Sequence, residues 1–260
     1  MQNRKPGDQT GQPIVGGRNI RLTIAFDGTA YRGWQIQKDA PTIQGLVTAA
    51  LERITGAAVT LTGSGRTDAG THARGLVAHF HTLSSIPPSR LVRAVNCLLP
   101  RDIRVLRART APPGFHARHG ARGKVYRYQI YLGAILAPHL LREYFHYPYP
   151  VDVPRMRRAA AMFTGEHDFA SFAKTGSAVA STVRTIRRCD LTLRGRRLHL
   201  TVEGNGFLHH MVRNMAGTLL EVGRGAMTME DFALLFKKRD RASAGFTAPA
   251  HGLVLLKVRY

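Results

Sequence analysis

The stretch Gly65-Arg66-Thr67-Asp68-Ala69-Gly70 sets one carboxylate in a glycine-bounded turn, two residues after an arginine. It belongs to a longer polar segment, residues 63–73, that also holds His72, with Arg74 just beyond. Gly and Asp are ordinary turn formers, so a hairpin turn closed by an Asx hydrogen bond is the plain reading. Three features favour a site instead: the segment's length, its mixture of one acid with several bases, and glycines that let a ligand approach the backbone. The chemistry open to it is narrow. A phosphate-binding loop would end in Lys-Ser or Lys-Thr, and this one does not. No second carboxylate lies nearby for paired acid–base work, and the grouped acids of a magnesium nuclease are missing. A lone carboxylate among arginines stays ionised at neutral pH, which suits a nucleophile or a base rather than an acid.

The surrounding chain is strongly basic. Its 260 residues include 38 Lys and Arg against 16 Asp and Glu, a formal net charge of +22. Such a field attracts nucleic acid or anionic lipid, and it bears on partner and association rate rather than on fold. No apolar run approaches the length that spans a bilayer, and the polar start from Met1 to Gly17 lacks an apolar signal core. Neither an integral membrane protein nor a secreted one is expected. Cys97 and Cys189 show no CxxC or Cys/His ligand spacing. They read as core thiols of a cytoplasmic protein, without a disulfide or a zinc site.

The elements that must position Asp68 follow from periodicity. Residues 1–18 read as a disordered arm. Ile20, Leu22, Ile24 and Phe26 alternate as a half-buried strand. Pro41 suits a first helical turn, followed by an apolar stripe from Ile43 to Ile54 that Gly56 closes. Val59 and Leu61 form a short strand leading into the Asp68 turn, and Leu76, Ala78 and Phe80 another leading out of it. Pro87 and Pro88 open a helix through Leu98, and Ile103 and Val105 form the next strand. After a Pro- and Gly-rich connector, residues 111–114, the order recurs. It comprises a strand at Tyr126, Tyr128, Ile130 and Leu132, a helix through Met156, Ala160 and Phe163, two strands paired around Arg194-Gly195, helices over 207–222 and 229–237, and a strand at Val254, Leu256 and Val258. The expected architecture is α+β: two ferredoxin-like (RRM-like) β-α-β-β-α-β halves, residues 19–110 and 115–260, with joined antiparallel sheets and a basic cleft between them.

Four ordered motifs tie the chain to a family. They are Phe26-Asp27-Gly28-Thr29-Ala30-Tyr31-Arg32-Gly33-Trp34-Gln35, the Asp68 stretch with Thr71-His72-Ala73, Lys124-Val125-Tyr126-Arg127-Tyr128, and Phe207-Leu208-His209-His210-Met211-Val212-Arg213-Asn214-Met215. With Ala248-Pro249-Ala250-His251-Gly252-Leu253 at the end, the chain from about Asn19 to Tyr260 resembles the tRNA pseudouridine synthase A family. Thr71 stands where that family more often has valine, and His251 where an acid is common. The resemblance implies isomerisation of uridine to pseudouridine at positions 38, 39 and 40 of the tRNA anticodon arm, without a metal or an organic cofactor, by a homodimer that one tRNA crosses. It implies that Asp68 is the catalytic carboxylate, acting by attack on C1′, addition to the ring, or removal of the C2′ proton. It further implies that Arg66 holds the opened site and pairs with phosphate, that Tyr126 packs on the flipped base, that Arg213 approaches Asp68, and that Leu253 lends apolar contact.

Several residues carry a second reading. Tyr126 shares a strand face with core residues, and Arg213 on a helix would ordinarily be exposed. His209 and His210, placed on that helix, would point about 100° apart without a third ligand of matching spacing, which disfavours a metal. Trp34, the only tryptophan, can stack on RNA or anchor its loop. Lys237-Lys238-Arg239 and Arg187-Arg188 suit phosphate contacts as well as they suit solvated faces. A non-catalytic RNA-binding module of the same fold, or a pseudouridine synthase for another RNA, is the rival function.

Overall fold

The computed structural model describes residues 16–176 and 179–260, so most of the expected N-terminal arm lies outside the described residues. In chain order the elements are β1 (Arg18–Phe26), α1 (Ile43–Thr55), β2 (Thr62–Gly63), β3 (His72–Thr82), α2 (Pro88–Leu98) and β4 (Ile103–Ala111). They continue with β5 (Gly123–Tyr131), β6 (Phe145–His146), α3 (Val153–Ala161), β7 (Gly165–Asp168), β8 (Val183–Arg194) and β9 (Arg197–Gly204). The chain closes with α4 (Met211–Gly223), α5 (Met229–Lys238) and β10 (Leu253–Arg259). The fold is mixed α+β on a single ten-stranded sheet, ordered β4-β1-β3-β10-β5-β9-β8-β7, with β2 on β3 and β6 on β5.

Alternation in β1 buries Ile20, Leu22 and Ile24, which are paired across the strands with Phe80, Ala78 and Leu76 of β3. These residues share one hydrophobic cluster with Val47 and Leu51 of α1 and Leu91 and Val95 of α2. In the second half Phe163 meets Phe172 and Phe232 edge to face, at 5.0 and 5.2 Å between centroids. Such pairings add to the area these rings bury.

The structure departs from the expected elements at several points. The two parts of the sheet are joined not by an antiparallel pair but by a parallel one, in which Val254 and Leu255 of β10 lie beside His72 and Ala73 of β3. No hairpin constrains the direction of strands this far apart in sequence. Val59 and Leu61 are buried but precede β2, which is only two residues long. Pro41 lies before α1 rather than in it, because Thr42 is the N-cap and its Oγ1 accepts from the Gly45 N–H at 3.3 Å. Leu132 lies just past β5. Cys189 is buried, whereas Cys97 is exposed and is not a core thiol. The largest difference is in α4, which begins at Met211, four residues later than periodicity suggests. His210 caps it in the left-handed region, with φ 63 and ψ 0, so Phe207 to His210 form a turn rather than a helical face.

Candidate active site

The parallel seam sets up the site. With His72 opposite Val254, β3 and β10 begin side by side, and the loops that precede them, the Asp68 loop and residues 245–252, become neighbours. Tyr126 is one strand further on, opposite Leu255. A cleft of about 1080 Å³ opens here, lined by Asp68, Arg66, Tyr126, Arg213, Leu253 and His209 among others.

The first motif holds the Asp68 loop from behind. Thr67 C=O accepts from the Trp34 N–H at 3.2 Å, and Tyr31 C=O accepts from the Gly70 N–H at 3.3 Å. Thr71 N–H closes the turn onto Asp68 C=O at 3.1 Å. Trp34 is buried with its indole against Gly63, so it anchors the loop instead of facing RNA. Gly33 has φ +87, and a Cβ there would sit 2.3 Å from Thr67 O. Only glycine permits both that conformation and that approach. His72 clamps the other side. Its Nδ1 accepts from the Gly28 N–H at 3.0 Å, which leaves Nε2–H to donate to the carbonyls of Arg142 and His251.

Arg213 reaches Asp68 from the first turn of α4. Its Nη1 donates to Asp68 Oδ2 at 2.9 Å and its Nε to Ala248 C=O at 2.8 Å. The side chain is 14% exposed, so this is a largely desolvated, doubly directed ion pair rather than a solvated surface one. The turn before α4 adds two histidines, His209 Nε2 at 3.2 Å from Oδ1 and His210 Nε2 at 3.6 Å from Oδ2. Burial pushes His210 down to about 4, against the pull of Asp68, so it is neutral at pH 7. Tyr126 lies edge-on to Phe207 at 5.0 Å, and burial, with the charge of Asp68, raises its phenol. Arg66 is exposed on the rim and, among the described residues, makes no ion pair with Asp68. Leu253 is buried at the first position of β10.

The ligand atoms of Asp68, His209 and His210 lie within 4.8 Å of one another, so the third donor that spacing failed to reveal is Asp68 itself. The arrangement does not fit a resident cation well. Arg213 already occupies Oδ2, and its fixed positive charge opposes a metal there. Lys237 and Lys238 are exposed, whereas Arg239 pairs with Asp168 at 2.8 Å and Arg188 with Asp190.

Comparison with known proteins shows the family of the chain. The family model described as tRNA pseudouridine synthase matches residues 22–119 and 159–260. The chain belongs to the tRNA pseudouridine synthase family. A tRNA pseudouridine synthase A of Geobacter sp. (strain M21) is 46% identical over 244 residues, 94% of this chain and 99% of the relative. The Caldicellulosiruptor bescii protein of the same name is 44% identical, covering 94% and 100% of the two chains. Among solved structures, a Cbf5-Nop10-Gar1 complex matches 91% of this chain and 48% of its own at TM-score 0.36 and 14% identity, too remote to bear on the site. The family's matched segments span all five lining motifs except Lys124 to Tyr128, which fall between them. Sequence reasoning missed the proximity of His209 and His210 to Asp68, because an unbroken helix turns them away from it.

Proposed function

We propose that this tRNA pseudouridine synthase isomerises uridines 38, 39 and 40 of the anticodon arm, with Asp68 as the catalytic carboxylate. Membership of the family gives the enzyme class, an isomerase that acts on tRNA uridine. The observation that carries the site is the Asp68–Arg213 pair, desolvated at the base of a cleft at the seam of the sheet. The reaction breaks N1–C1′, joins C5 to C1′, releases the C5 proton and returns a proton to N1. Substrate and product are isomers, so no co-reactant is needed. The uridine must leave its stack to reach the cleft. Tyr126 and Leu253 would pack on the flipped base, Arg66 on the rim would meet phosphate, and Asp68 would act at the sugar or the ring. The strand orders β4-β1-β3 and β10-β5-β9-β8 support a reading as two ferredoxin-like halves, residues 19–110 and 115–260.

Pseudouridine mapping on tRNA and tritium release from 5-tritiated uridine test this reading. The wild type modifies positions 38–40. Asp68→Asn releases no tritium while tRNA affinity stays within a few fold, and turnover near wild type in that variant overturns the assignment. The same loss of turnover with retained binding excludes a non-catalytic RNA-binding module. Modification of another RNA in preference to tRNA would favour the other rival. The catalytic reading needs no metal or cofactor, so dialysis against EDTA leaves the rate unchanged. The resemblance carries a homodimer, which light scattering of the free enzyme checks. The unpaired Cys97 and Cys189 suit the reducing cytoplasm, and no helix among the described residues is long and apolar enough to cross a membrane.

A further inference from the structure

Lys124 is a cation of the cleft that the reading above leaves without a task. It lies two residues before Tyr126 on β5, so both side chains leave the same face of the sheet and both line the cleft. Its ammonium sits directly over Gly65, where a Cβ would come within 2.5 Å of Nζ. Glycine at the start of the Asp68 motif therefore makes room for this one charge. Among the described residues the Lys124 ammonium makes no hydrogen bond and no ion pair. Arg118 lines the cleft beside it, and burial together with Arg118 pushes the ammonium down to about 8. The hydroxyl of Thr67, buried in the same loop and lining the same cleft, is also without a partner among the described residues.

Lys124 is partly buried beside the exposed Arg118, and its ammonium, with no counter-charge among the described residues, is poorly satisfied by the protein alone. A uracil carbonyl would neutralise neither of them. A phosphodiester oxygen neutralises both, and a lysine ammonium is suited to it as a point charge. We propose that Lys124, with Arg118 beside it, binds one phosphodiester of the RNA strand next to the flipped uridine, and so anchors the strand that carries this base into the cleft. The proposal rests on the function proposed above. Asp68 has its own cation in Arg213, so the two basic groups divide the work: Arg213 orients the carboxylate, and Lys124 orients the strand.

The test compares wild type, Lys124→Met, Lys124→Gln and Lys124→Arg with unmodified tRNA. Affinity is read across a salt series, together with single-turnover rates at saturating tRNA and thermal midpoints. Loss of one phosphate contact lowers the slope of log affinity against log salt by ~0.7–0.9. Lys124→Met and Lys124→Gln are expected to weaken binding about tenfold, the scale of one charge-assisted contact, with that drop in slope. The saturated rate falls less than threefold, and Lys124→Arg restores both affinity and slope. Three results overturn the proposal: an unchanged slope and affinity, a lowered midpoint with the slope intact, or a large fall in the saturated rate with the slope intact, which would place Lys124 on the uracil ring. Failure of the parent reading looks different, because the wild type itself would then leave positions 38–40 unmodified.

Discussion

The Asp68 carboxylate is placed by its partners more than by its own loop. Arg213 uses Nη1 for Asp68 and Nε for Ala248 C=O, so one planar group fixes the carboxylate against the loop before β10. Lysine has no second donor in that geometry and cannot span both contacts. Arg213→Lys is therefore expected to lower the single-turnover rate by about 100-fold, the scale of a misplacement of roughly 1 Å, with tRNA affinity within a few fold. A rate near wild type in rapid-quench assays would show that a charge alone suffices. His210 sits at φ 63, a region that costs a non-glycine residue about 1 kcal/mol. His210→Gly is expected to raise stability by up to about 1 kcal/mol in urea titrations, because glycine adopts this conformation without penalty, while any fall in turnover reports the imidazole removed from beside Asp68. At this scale the shared placement of Asp68, Tyr126, Arg213 and Leu253 in one cleft was legible, because motifs name those residues. The sequence was illegible where a backbone conformation decides direction. Periodicity runs through His210 without interruption, since nothing in the residue type announces a left-handed cap.

At the scale of elements, the site exists because β3 and β10 start together. The strands at Ile20–Phe26, Leu76–Phe80 and Tyr126–Ile130 were legible because alternation in a half-buried sheet is a local signal. The parallel seam was not, because its two strands are separated by most of the chain and pair through only Val254 and Leu255. No local pattern encodes a partner that far away. The first motif gains its meaning here too, as the back wall of the Asp68 loop. Gly33→Ala tests that role. An alanine would need φ +87 and would press a methyl onto Thr67 O, so destabilisation of more than about 1 kcal/mol is expected. The Asp68 turn must move to relieve the contact, so turnover falls further than the fraction of folded protein. Activity that follows folded fraction alone, measured by circular dichroism beside tritium release, would confine Gly33 to stability.

The whole molecule is governed by its charge, in two ways that separate with pH and salt. His79, His199 and His210 are each pushed down to about 4, with burial as the leading cause. Their folded values lie below the unfolded one of about 6.5, so between those limits the unfolded chain takes up protons that the native state refuses. Stability is thus fully present above about pH 6.5 and is lost as pH falls toward 4. Urea midpoints should drop across that window, and His79→Gln should flatten the drop. The second effect is association. Even if every one of the 16 acids paired with a base, the excess of 22 cations would remain. Several arginines are already spent on partners, Arg213 on Asp68 and Arg239 on Asp168 among them, so the charges available to RNA are those such as Arg66, Arg118 and Lys124 that line the cleft. A surface that neutralises about 6–10 phosphates loses on the order of 10³–10⁵ in affinity between 50 and 200 mM salt. Fluorescence anisotropy with tRNA should show that steep loss, while single-turnover rates at saturating tRNA stay nearly constant, because the Asp68–Arg213 pair is shielded from the salt that screens the rim. A flat affinity would mean that the excess charge serves something other than tRNA capture, and a rate that falls with the affinity would mean that the pair at the base of the cleft is open to bulk solvent.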